Sequence, residues 1–142
     1  MKLVQHLLDT KGRHVIAIGP GASVFDAIKL MAEKGIGSLV VMEDEKMHGI
    51  ITERDYARKV IIKGRSSETT RVAEIMTTEV VTASSSQTVK ECMEVMTERR
   101  LRHLPVIEDN RVIGLISIGD LVQAIIADQQ AEIEQLESYI SG

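Results

Sequence analysis

The chain has 142 residues, with 17 Lys and Arg against 21 Asp and Glu, a formal net charge of −4, and 44% apolar residues. That length supports one compact domain or two very small ones, with an aliphatic core. The acidic balance and the presence of only Phe25, Tyr56 and Tyr139 as aromatics disfavour nucleic acid, which needs cations and stacking surfaces, and anionic membranes.

The chain opens with Leu3, Val4, Leu7 and Leu8 at helical spacing, which predicts a short amphipathic helix over residues 2–9 that ends near Gly12. Residues 15–18 are all apolar and read as a buried strand, closed by the turn Gly19-Pro20-Gly21. Ser23, with Asp26 three residues on, caps a helix whose apolar face is Val24, Ala27, Ile28 and Met31 and which Gly35 ends. Residues 38–42 and 47–51 predict two strands joined at Glu43-Asp44-Glu45-Lys46. A helix is predicted from about 53 to 62, closed by Gly64, and the polar stretch 63–70 reads as a linker.

The same order then recurs. Residues 72–76 form a short helical or turn segment, 80–83 a strand and 84–86 a serine loop. Thr88 and Glu91 make a capping box for a helix to about Arg99. Residues 104–107 and 112–116 are strands, and Ser117 opens the last helix. Residues 15–60 slide onto 80–125 without a gap, and eleven pairs are identical: Val15, Val24, Met31, Glu33, Leu39, Val41, Glu43, Asp44, Gly49, Ile51 and Asp55 meet the same residue 65 positions later. Two copies of one strand-helix-strand-strand-helix unit follow. Each is too small to bury its own sheet well, so the two are expected to pack as a pseudo-two-fold pair.

The last helix continues past its counterpart. Leu121, Val122, Ile125, Ile126, Gln129, Ile133, Leu136 and Ile140 keep three- and four-residue steps, and the stripe beyond residue 127 needs a partner: the N-terminal helix or another subunit. The halves differ in charge. Residues 1–65 carry 11 bases and 8 acids; residues 66–142 carry 6 and 13. Cys92 is the only cysteine, which excludes an internal disulfide and fits a reducing cytoplasm; it aligns with Ala27 as a buried core position. No run of 18 apolar residues and no signal-peptide pattern occurs, so no membrane association is expected.

Both copies place a hydroxyl and, three residues later, an aspartate where a strand meets a helix: Gly49-Ile50-Ile51-Thr52-Glu53-Arg54-Asp55 and Gly114-Leu115-Ile116-Ser117-Ile118-Gly119-Asp120. A hydroxyl-x-x-acid is first of all a helix cap. Its double occurrence after matched glycine-apolar strands also suits a ribose on the carboxylate and a phosphate at the helix end. These motifs, with Arg99-Arg100-Leu101-Arg102-His103-Leu104-Pro105-Val106 at a strand opening, resemble the tandem CBS-domain pair, or Bateman module. The resemblance covers nearly all of residues 12–128 and is that of a stand-alone bacterial pair.

It implies an α/β (α+β) fold of two β-α-β-β-α repeats, residues 8–66 and 74–130, with an N-terminal helix and a C-terminal helix extension over 131–142. It further implies adenosine-type ligands in clefts between the repeats, homodimers, and regulation of an enzyme, channel or transporter that the sequence does not name. The ligand contacts it implies are Thr52, Asp55, Ser117 and Asp120; Arg54 toward phosphate; the strand openings Gly37-Ser38 and Arg102-His103-Leu104-Pro105; and the first-strand ends Ala17, Ile18 and Thr82. Arg54 and Arg102 favour AMP, ADP, ATP or NAD over S-adenosylmethionine. His103 has no second His or Cys at ligand spacing, so no metal site is expected. No nucleophile–base constellation stands out, so neither an enzyme nor a catalytic cofactor is expected. A dimeric interaction protein with vestigial nucleotide sites is the alternative.

Overall fold

The computed structural model describes residues 2–141. Its elements in chain order are α1 (Val4–Lys11), β1 (Ala17–Ile18), α2 (Val24–Lys34), β2 (Ser38–Glu43), β3 (Lys46–Thr52), α3 (Glu53–Tyr56) running into a π-helical turn (Ala57–Ile61), α4 (Val72–Ile75), α5 (Val89–Arg99), β4 (His103–Glu108), β5 (Arg111–Ser117) and α6 (Ile118–Ser141). The mixture of helix and strand is the α+β class that the sequence predicts. Local chemistry sets the boundaries. The Ser23 hydroxyl accepts the Asp26 N–H at 3.1 Å and opens α2; the Thr88 hydroxyl accepts the Glu91 N–H at 3.0 Å and opens α5. The hairpins turn at Asp44-Glu45 and Asp109-Asn110, all four with positive φ. Such two-residue turns match the twist of the strands they join.

The chain divides into two compact units. One comprises Val15–Val81 with Asn110–Val112; the other comprises the residues up to His14, Thr82–Asp109 and the residues from Ile113 on. In the first, β1 pairs in parallel with β2, and β2 pairs antiparallel with β3, from Ser38 opposite Thr52 to Glu43 opposite Lys46. The register shifts between Val41 and Met42, leaving His48 as an extra residue on β3. Val24, Ala27 and Met31 of α2 pack on Leu39, Val41 and Ile51, with Val60, Val72 and Ile75 completing the core. The single helix expected over 53–62 is instead a short α-helix and a π turn, in which the Ile62 N–H reaches back to the Ala57 carbonyl. The wider turn brings Val60 into the core. Residues 63–70, expected as a linker, are tied to this unit. Phe25 and Val24 donate their N–H groups to the carbonyls of Ser67 and Thr70, and Thr70 is buried.

In the second unit, β4 and β5 form the sheet and α5 and α6 pack together. The strand expected over 80–83 is reduced to one parallel bridge, Ala83 to Val106. Pro105 explains part of the loss. In the first repeat Val40 donates its N–H to the Ile16 carbonyl. Pro105 stands at the matching position and has no N–H to give. The N-terminal helix belongs to this unit. Val4, Leu7 and Leu8 are buried, and the Val4 and Gln5 N–H groups bond the carbonyls of Gln87 and Ser85.

Two glycines at the same repeat position admit these flanking segments. A Cβ on Gly49 would stand 2.6 Å from the Thr77 carbonyl oxygen, and one on Gly114 would stand 2.6 Å from a Leu8 methyl. The segment ahead of the first repeat thus packs on the second repeat's strand β5, and the segment ahead of the second packs on β3. Beyond Asp128, α6 is exposed throughout, including Ile133, Leu136 and Ile140. Among the described residues, no helix is long and apolar enough to cross a membrane.

Candidate functional site

In each copy a strand delivers its hydroxyl residue to the first turn of a helix, and the backbone around that point is the same. The Glu53 N–H bonds the Gly37 carbonyl at 3.1 Å; 65 residues on, the Ile118 N–H bonds the Arg102 carbonyl at 2.9 Å. Both aspartates return to cap the residue three positions back, the last of its strand. Asp55 Oδ2 accepts the Thr52 N–H at 3.0 Å while the Thr52 hydroxyl accepts the Asp55 N–H at 3.1 Å. Asp120 Oδ2 accepts the Ser117 N–H at 2.8 Å while the Ser117 hydroxyl accepts the Asp120 N–H at 3.1 Å.

The two carboxylates then diverge. Asp55 is the more heavily bonded of the two. Beyond the cap it accepts the Thr52 hydroxyl at 3.1 Å and, on Oδ1, the Thr77 hydroxyl at 3.2 Å and the Lys59 ammonium at 3.0 Å. Its side chain is 10% exposed. Asp120 is 22% exposed and has neither of the last two partners, because Ala124 stands where Lys59 would be and Gly12 where Thr77 would be. Its additional partner is Lys11, at the end of α1, whose ammonium donates to Asp120 Oδ2 at 2.5 Å and also to the Leu115 carbonyl. Burial works to raise the Asp120 pKa, but the Lys11 ammonium and the Ser117 N–H outweigh it and hold the carboxyl below its ordinary value. The carboxylate is therefore charged at neutral pH, at the start of a 24-residue helix whose free N–H groups favour anions.

His103, at the opening of β4, faces the same cluster. Burial depresses its pKa, and the Lys11 and Arg102 charges depress it further against the opposing pull of Asp120. The ring is thus neutral at physiological pH. Arg102 itself is exposed.

The remaining predicted contacts fall into different environments. Ala17 and Thr82 are exposed, and Ile18 and Gly37 half-buried. Leu104 and Pro105 are buried in the core, and the Pro105 carbonyl is taken by the Ala83 N–H at 2.9 Å, so their side chains are packing groups. Arg54 is exposed on the first turn of α3. Ser38 is 1% exposed, and its hydroxyl has no hydrogen-bond partner among the described residues. An orphaned buried hydroxyl costs about 1–3 kcal/mol, so this one invites a further acceptor or donor in the first repeat. Among the described residues, no group of three His, Cys, Asp or Glu is placed to hold a metal ion.

Sequence reasoning missed Lys11, Lys59 and Thr77. Lys59 carried a signal, the i,i+4 spacing from Asp55. Lys11 carried none, since it lies 109 residues from Asp120.

The CBS-domain family model matches residues 10–62 and 72–127. The chain belongs to the CBS-domain family, as a tandem pair. It is 45% identical over 125 residues to the mitochondrial CBS domain-containing protein CBSX3 of Arabidopsis thaliana, covering 84% of this chain and 61% of that protein's length. The fold matches a putative signal-transduction protein with CBS domains from Burkholderia ambifaria at 53% identity and a TM-score of 0.87, over 90% of this chain and 96% of that one. It also matches the CBS domain pair of protein MJ0100, solved in complex with 5′-methylthioadenosine and S-adenosyl-L-methionine, at 25% identity and a TM-score of 0.80, over 90% of this chain and 98% of that one. The two hydroxyl–aspartate turns lie within the two matched CBS domains.

Proposed function

We propose that this CBS pair is a non-catalytic regulatory module that binds an adenine nucleotide, AMP, ADP, ATP or NAD, at its strand-to-helix turns. The observation that carries the reading is Asp120: a charged, partly open carboxylate at the N-terminus of a long helix, paired with Lys11. A carboxylate in that position accepts hydrogen bonds from ribose hydroxyls, and the helix end and cations receive phosphate. The bound adenosine compounds of the MJ0100 pair support an adenosine moiety in the ligand. The second repeat is the stronger site, because Asp55 already serves four donors and its α-helix is a single turn.

Binding would act by population shift, favouring one arrangement of a surface that a regulated protein reads. We further propose a second copy of this chain as the partner of α6. Val122, Ile126, Gln129, Ile133, Leu136 and Ile140 recur at alternating four- and three-residue steps, with isoleucine alternating with leucine in the last turns, a pattern suited to a parallel two-stranded coil. The buried Cys92 thiol suits a reducing compartment such as the cytoplasm.

Calorimetric titration with AMP, ATP, NAD(H) and S-adenosylmethionine, on protein freed of co-purified ligand, tests the reading. Micromolar binding of a phosphorylated adenosine is the expected result. No binding of any of these at millimolar concentration would overturn it and leave both turns as helix caps.

A further inference from the structure

The contact that the two-repeat pattern does not account for is Lys11. It lies outside both hydroxyl–aspartate motifs, its counterpart by the 65-residue offset is Met76, and its ammonium nevertheless meets the Asp120 carboxylate and the Leu115 carbonyl. Its side chain is partly exposed and its stem is flexible, so the ion pair can be exchanged without disturbing the core. Lys11, from the end of α1, meets the carboxylate directly, and the charges of Lys11 and Asp120 both reach His103 at the opening of β4, whose neighbour Arg102 is tied to the start of α6 by the bond from the Ile118 N–H to the Arg102 carbonyl.

We propose that Lys11 is the residue that makes the second-repeat site select a phosphorylated adenosine over a bare nucleoside. The inference rests on the nucleotide-binding reading of that site. A ribose that hydrogen-bonds to Asp120 Oδ2 competes with an ammonium already paired there. A nucleoside offers that ammonium nothing in return, so displacement leaves Lys11 to water and the nucleoside competes against an internal ion pair. A nucleoside 5′-phosphate supplies a new anion within reach of the α6 N-terminus, and Lys11 transfers to it while Asp120 turns to the ribose. The lysine therefore opposes one ligand and recruits the other. The first repeat is arranged differently: its lysine, Lys59, stands one helical turn from Asp55 and also donates to the Ile75 carbonyl at 2.8 Å, and Asp55 takes the Thr77 hydroxyl besides, which leaves that carboxylate less open than Asp120.

The test is calorimetric titration of the wild-type chain and of Lys11→Met with two probes, AMP and adenosine. The wild type is expected to bind AMP at least tenfold more tightly than adenosine. Lys11→Met, which keeps the aliphatic stem, is expected to lose AMP affinity by tenfold or more while adenosine affinity stays equal or rises. A parallel loss for both probes, or no change for AMP, overturns the role of Lys11 even though the site binds nucleotide. Failure of the wild type to bind either probe overturns the site itself. Lys11→Arg separates charge from packing: retained AMP preference supports the proposal, and a loss equal to that of the methionine variant counts against it.

Discussion

Removing each aspartate in turn tests whether Asp55 serves the fold and Asp120 the proposed ligand. Asp55→Ala deletes a cap worth about 1 kcal/mol and leaves the Thr77 hydroxyl without its acceptor, about 1 kcal/mol more. The Lys59 pair adds only a few tenths of a kcal/mol, because nearly half of the lysine is in water. The loss is therefore about 2 kcal/mol, or roughly 4–8 °C in Tm for a chain of this size. Asp120→Ala loses the same kind of cap and one partly exposed ion pair, about 1 kcal/mol of stability. In nucleotide affinity, however, it forfeits one or two charge-assisted hydrogen bonds, roughly 1.5–3 kcal/mol or about 10- to 150-fold. Urea unfolding followed by circular dichroism, with calorimetric titration of the same preparations, measures both quantities. The expected pattern is crossed: Asp55→Ala hurts stability more, and Asp120→Ala hurts binding more. If Asp120→Ala binds like the wild type, or if Asp55→Ala melts with the wild type, the division of labour inferred from their hydrogen bonds is wrong.

Gly114→Ala forces a methyl against Leu8, which is fully buried; overpacking of this kind costs about 1–3 kcal/mol, and combination with Leu8→Ala should cost less than the two changes added together, as equilibrium unfolding of the double-mutant cycle would show. His103 has a folded pKa depressed below its unfolded value near 6.5, so the folded state binds fewer protons. Its contribution is complete above the unfolded pKa and is lost as pH falls through the folded one; urea midpoints at pH 7.5 and 5.5 should differ less in His103→Gln than in the wild type. Leu136→Asp, on the exposed face of α6, should lower the sedimentation-equilibrium mass toward that of a monomer. Because residues 112–142 contain acids and no Lys or Arg, self-association there should strengthen with added salt, which screens like charges.

Much of this protein is written in local sequence. The hydroxyl caps at Ser23, Thr52, Thr88 and Ser117, the paired turns at Asp44-Glu45 and Asp109-Asn110, and the 65-residue repeat each act over a few neighbours or a constant offset. They are legible because helix capping and turn chemistry are short-range. The family resemblance follows from the same motifs.

Tertiary structure decided what the repeat conceals. Identical aspartates acquire different surroundings because the segments packed on β3 and β5 differ: Thr77 reaches Asp55, whereas Lys11 reaches Asp120. A chain of polar residues at 63–70 reads as a tether until its carbonyls are seen to accept the first N–H groups of α2. The strand before Ser84 shrinks to a single bridge, and the missing Pro105 N–H matters only once Val106 is known to lie beside Ala83. Periodicity reports which face of an element is apolar, and it carries no information about which distant side chain arrives at a given carboxylate. That depends on where the fold brings residues more than a hundred positions apart, and there the two copies cease to be equivalent.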